Sequence, residues 1–189
     1  MPTSHHIAPA GTAPQPHLRR LCQWVRALVL LGTAGQVAAL GSFWASPEWI
    51  ARAVPQMTDL AGHAVTVDAR ARWLGATLSL LPLALCWYGL WQLWRLFGHY
   101  ARGQALTAIA QQPLRRFAWA LLLMAPAGPL FRAALGVVFT LGNPSGQRVL
   151  AIGISSNDYL LFLLGLVLLA IATVMADAVR AAEENRQFV

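Results

Sequence analysis

The chain contains no lysine; all fourteen of its basic residues are arginine. Charge of either sign is scarce, because only 11% of the 189 residues are charged while 57% are hydrophobic and mean hydropathy is +0.52. An ordinary soluble domain carries about 25% charged residues. A surface so poor in charge is not one that water solvates well, which points to lipid as the main solvent. Cysteine is nearly absent too: Cys22 precedes the first apolar run, Cys86 lies inside the second, and there is no CxxC. That excludes a disulfide framework or a zinc cluster and leaves Cys86 as a small apolar side chain. The net charge of +7 and pI near 11.0 could suggest nucleic acid, but the arginines are scattered and flank apolar runs. For a membrane protein the first reading of such a pattern is topology, with direct nucleic-acid binding a weak second.

Ala27–Pro47 has no charge over 21 residues, Trp73–Trp94 none over 22, and Tyr159–Ala176 none over 18. About 20 apolar residues at ~1.5 Å each cross a hydrocarbon core of about 30 Å. A third run is interrupted: Phe117–Phe131 is uncharged, Arg132 intervenes, and Ala133–Gln147 is uncharged again. The expected fold is all-α, an integral membrane bundle of four helices with spans about 25–45, 73–95, 115–141 and 158–178. The third is read as one helix kinked by Pro126 and Pro129 in APAGP; a re-entrant pair is the minor alternative. The first run is too long for a signal-peptide core and no clear cleavage site follows it. Residues 1–18, rich in Pro, Ala and His, are expected to form a disordered cytoplasmic tail, and 19–189 a single membrane domain. WIARAV is expected to make a short amphipathic turn, AVTVD a short strand, and the last helix to run on past Asp177, where Asp177, Arg180 and Glu184 are spaced to pair.

One side of the four-span arrangement holds nine arginines: Arg19, Arg20, Arg26, Arg95, Arg102, Arg115, Arg116, Arg180 and Arg186. The other holds four: Arg52, Arg70, Arg72 and Arg148. The richer side is expected to be cytoplasmic, with both termini, in a bacterial inner membrane. Trp44, Trp49, Trp73, Trp94, Trp119 and Tyr159 fall near span ends, as an interfacial belt does. Gly35 with Ala39, and Ala34 with Ala38, have small-xxx-small spacing, a weak pointer to a packing face; a homo-oligomer stands among the candidate partners.

Catalytic chemistry is hard to find. No Asp, Glu or His lies in the middle of a span, which argues against a proton relay or haem ligation between helices. There is no nucleophile elbow, phosphate loop or HxxxH pair, and His5-His6 in a tail is at best a weak metal binder. No enzyme activity, cofactor or metal is expected. Arg132, the one charge within a span, lies about 25 Å along the helix from Arg115. It either snorkels to the outer headgroups, paired with Asp158 or Asp68, or is a buried cation for an anionic ligand.

LFGHYARGQALT (96–107) stands between two apolar runs. One Arg, one Tyr and one His make no stacking platform for nucleic acid. The stretch is either a plain turn or a partner-facing loop carried by Tyr100, Arg102, Gly103 and Thr107.

WQLWRLFGHYARGQALTAIAQQPLRRFAW resembles a family of small bacterial four-span membrane proteins catalogued as a domain of unknown function, whose second span runs into "L-x-R-L-F-x-x-Y-A-R-G-x-x-F-T". Tyr100, Ala101, Arg102, Gly103 and Thr107 match, and Leu106 stands where an aromatic is common. LLFLLGLVLLAIATVMADAVRAAEENRQFV is similar to the family's ending. Where the family has acidic and Asn residues after the Thr, this chain has AIAQQP, with Pro113 expected to break the first helical turns. Some members look to be encoded beside a small Xre-type helix-turn-helix regulator. The resemblance therefore implies a non-enzymatic regulatory or interaction protein with a cytoplasmic partner. The alternatives are a small oligomeric transporter or channel-like subunit for an anionic solute, using Arg132 and APAGP, and, last, a membrane enzyme or an accessory subunit of one.

Overall fold

In the computed structural model, which describes residues 16–58, 65–104, 107–144 and 150–187, five helices follow one another: α1 (Pro16–Ala45), α2 (Pro47–Met57), α3 (Ala69–Tyr100), α4 (Ala108–Thr140) and α5 (Ser156–Gln187). α1, α3, α4 and α5 are long and apolar enough to cross a membrane, so the protein is an all-α, multi-pass membrane protein. Each long helix begins before or ends beyond its uncharged run. At 30–33 residues they reach about 45–50 Å, because Arg, Gln and Ala continue a helix as readily as Leu does.

Three expectations about local structure change. Residues 16–18, assigned to the tail, already belong to α1, while residues 1–15, with His5-His6, lie outside the described residues. Residues 65–68 of AVTVD form no strand; they run to Asp68, which caps α3 by accepting from the Ala71 amide at 2.7 Å. α4 is a single helix from Ala108 to Thr140 with Pro113, Pro126 and Pro129 inside it. That rules out the re-entrant pair, and Pro113 does not break the first turns. WIARAV grows into α2, an amphipathic helix with Pro47 at its start, Ile50 and Val54 buried one turn apart, and Trp49 exposed.

The long helices form an up-down-up-down row. α3 packs closely on α4 and α4 on α5, while α1 leans on α3 and makes no close backbone approach to α4 or α5. Small residues allow the close approaches. A Cβ at Gly89 would lie 3.4 Å from Ala120 Cβ, one at Gly165 would come within 3.0 Å of the Leu122 amide nitrogen, and one at Gly75 would collide with the Trp44 ring. The expected small face on α1 is not among them: nothing lies within 4 Å of a Cβ placed on Gly35. α1 sits at the edge of the row, so most of its surface is outward-facing, with Leu28, Leu31 and Val37 exposed.

At the α2 end of the row, Ile50, Val54, Ala71, Leu135 and Phe139 make a buried cluster. Trp44 joins it, stacked on Phe139 at 6.4 Å and 12°, and so leaves the interfacial belt in which its position near a span end had placed it. Arg72 donates to the Trp44 carbonyl at 2.8 Å, satisfying an orphan acceptor at the end of α1. At the opposite, α3–α4 end a smaller cluster forms around Leu96, Leu114 and Ala172, with Tyr100 packed against it.

Candidate functional site

Residues 96–104 of LFGHYARGQALT form a closed helix ending. Gly103 takes φ 76°, a left-handed conformation that glycine adopts without a Cβ penalty. The Gln104 amide donates to the His99 carbonyl at 3.1 Å and the Gly103 amide to the Tyr100 carbonyl at 3.0 Å, the pair of bonds of a Schellman motif. Side chains reinforce it: His99 Nδ1 meets Gln104 Oε1 at 3.0 Å, Arg102 Nε donates to the Gly98 carbonyl at 3.0 Å, and Thr107 Oγ1 donates to the Gln104 carbonyl at 2.8 Å. Of the four residues singled out from the sequence, Tyr100 is half-buried beside Phe97, Gly103 shapes the turn, and Thr107 closes it. Arg102 is exposed. The turn is thus a preformed knob on the α3–α4 end. Leu106 lies outside the described residues.

Beside this knob a crevice of about 480 Å³ opens between the start of α4 and the far part of α5. Gln111, Arg115, Asp177 and Arg180 line it. Gln111 is 6% exposed, and neither its carboxamide nitrogen nor its oxygen has a partner; a buried polar group left so is worth about 1–3 kcal/mol of lost stability. The spacing of Asp177, Arg180 and Glu184 does not lead to ion pairs, since the salt bridge found among the described residues is elsewhere.

That salt bridge joins Arg132 to Asp158. Arg132 also donates to the Gly153 carbonyl at 3.0 Å, and Asp158 accepts from the Ser155 amide and hydroxyl, each at 2.8 Å. The Asp158 amide in turn donates to Ser155 Oγ at 3.3 Å, so Ser155 and Asp158 form a capping box at the start of α5. Of the two partners considered for Arg132, Asp158 is the one it meets, and Asp68 caps α3 instead. Gly128 makes room, for a Cβ there would lie 2.8 Å from Asp158 Oδ1.

Counting charges overlooks three glutamines within the long helices. Gln36 accepts from Trp87 Nε1 at 3.2 Å and donates to Cys86 Sγ at 3.4 Å, so Cys86 has a polar neighbour rather than a purely apolar one. Gln92 is fully buried with an unpartnered carboxamide, like that of Gln111. The signal was an uncharged polar residue inside an apolar run, where burial without a partner is costly. The S-x-x-D at 155–158 was likewise legible as a capping box.

Among the described residues no group of three His, Cys, Asp or Glu is placed to hold a metal. No curated protein and no solved structure matches the chain. The family described as Protein of unknown function (DUF2975) matches residues 56–187, which take in α3, α4 and α5 and the whole turn between α3 and α4. The chain belongs to that family.

Proposed function

We propose that this is a non-enzymatic regulatory protein of the bacterial inner membrane, both termini cytoplasmic, whose α3–α4 end receives a cytoplasmic protein. The observation that carries the reading is the construction of the α3 ending at 98–104, to which Thr107 is tied. Two backbone bonds, three side-chain bonds and a left-handed glycine hold these residues together, and a surface ordered in advance loses less entropy on binding. α5 runs ten residues beyond Asp177, about 15 Å of helix past its apolar run, and so adds a second element to the same end. The arginine excess makes this end cytoplasmic and gives an acidic partner surface an electrostatic match. The class of partner proposed is a small Xre-type helix-turn-helix regulator, as the sequence resemblance implies.

The anion-path alternative relies on Arg132 as an available cation. Its pairing with Asp158 and the Gly153 carbonyl favours a structural role for it instead. The test is capture of such a regulator by the chain in mild detergent. Arg102→Glu and removal of residues 178–189 are each expected to abolish capture; capture unaffected by both sinks the assignment of this face.

A further inference from the structure

We infer that the crevice between α4 and α5 binds the phosphate of an anionic phospholipid, a site independent of any protein partner. Among the described residues that line it, Arg115 and Arg180 come from facing helices against one carboxylate, Asp177, so this part of the lining carries a net positive charge. Neither arginine is ion-paired with Asp177, which leaves both guanidinium groups available. Guanidinium groups match phosphate oxygens in geometry as well as charge. The opening turns of α4 add to this. They hold no acidic residue, and the Thr107 side chain does not cap them, so the positive end of the helix dipole is left uncompensated. The independent observation is Gln111, which lines the crevice, is 6% exposed and has a carboxamide with no partner in the protein. Its amide atoms are closed off as they stand, and a headgroup in the crevice would satisfy them once the side chain turns toward it.

Depth selects lipid over a soluble anion. Arg115 and Arg116 are the last charges before the uncharged stretch Phe117–Phe131, and Asp177 is the first after Tyr159–Ala176. On the other side of the row Arg26 stands over the Trp94 ring at 4.0 Å and Arg95 over Trp91 at 5.1 Å, one belt of arginine and tryptophan as at a headgroup layer. Next to the crevice, Ile171 and Val174 on α5 are exposed, Val174 by 68%, a surface along which acyl chains can lie.

The experiment follows thermal unfolding of the full chain in nonionic detergent during titration with phosphatidylglycerol, phosphatidylcholine or inorganic phosphate. A saturable rise in midpoint is expected with phosphatidylglycerol, with half-saturation about tenfold below that of phosphatidylcholine. Arg115→Gln and Arg180→Gln are each expected to weaken it about tenfold, as loss of one charged hydrogen-bonding partner does. Arg116→Gln, which removes the same charge outside the crevice, leaves it unchanged. Gln111→Leu raises the midpoint without lipid and shrinks the lipid increment. Equal weakening by Arg116→Gln, or an unaltered increment in Gln111→Leu, overturns the site. Saturation by inorganic phosphate with no response to phosphatidylglycerol keeps the phosphate chemistry but overturns the lipid as its source.

Discussion

Asp158 shows how much a single side chain holds together. It is 5% exposed, pairs with Arg132, and closes the capping box of α5 through Ser155. Removing one member of a buried pair strands the other charge, which is more harmful than removing both. Arg132→Leu strands the Asp158 carboxylate, which keeps its bonds from Ser155, and is expected to destabilise by about 3 kcal/mol, the low end of that effect. Asp158→Ala strands Arg132, whose side chain is 24% exposed, but removes the cap as well and is expected to cost at least as much. In the double variant the losses are expected to be non-additive by about 1 kcal/mol or more. Thermal unfolding in detergent measures all three, and strictly additive losses would mean that the pair is not coupled. That Arg132 sits toward the α2 end was readable from its distance to Arg115. That it chooses Asp158 over Asp68 was not, since the choice depends on which loop α4 passes.

At the scale of helices, packing rests on a few contacts where backbones come close. Gly165 has no room for a side chain because its neighbours include the Leu122 backbone nitrogen and the Ala118 carbonyl, and backbone does not move aside. Gly89 meets only Ala120 and Phe117 side chains at ordinary contact distance, and Gly35 meets nothing. Gly165→Val is therefore expected to separate α4 from α5 and lower the unfolding midpoint sharply. Gly89→Ala and Gly35→Val are expected to stay near the parent, and a Gly35→Val loss as large as that of Gly165→Val would instead place a partner on α1. Sequence spacing alone pointed to α1, because small residues recur there at every fourth position. Spacing cannot tell which helix has a neighbour. Pro113 carried a similar ambiguity: as the sixth residue of α4 it removes one bond, to the Ile109 carbonyl in the opening turn, and the helix continues through it.

For the whole molecule, four crossings put the start of α1, the end of α5 and the α3–α4 turn on one side. The nine-to-four division of arginine predicts which side that is. With Cys22 and Cys86 replaced, a cysteine at 102 is expected to react with a membrane-impermeant reagent only after the cells are opened. One at 154, where Ile154 is 81% exposed, is expected to react from outside. Labelling at 102 in intact cells would invert the orientation and move the proposed partner to the other compartment.

Composition and periodicity by themselves determined the solvent, the number of crossings and the charge asymmetry, because each depends on runs of neighbouring residues and on free energies that add along the chain. The turn at 98–107 was visible as a motif, although its bonds were not. Tertiary structure alone decided that Trp44 turns inward, that Asp158 rather than Asp68 meets Arg132, and that Gln111 lies unpartnered beside Arg115 and Arg180. Each of these depends on which helix stands next to which. Where the four long helices are all apolar, hydrophobicity does not choose the neighbours; close backbone approach and a few buried polar groups do.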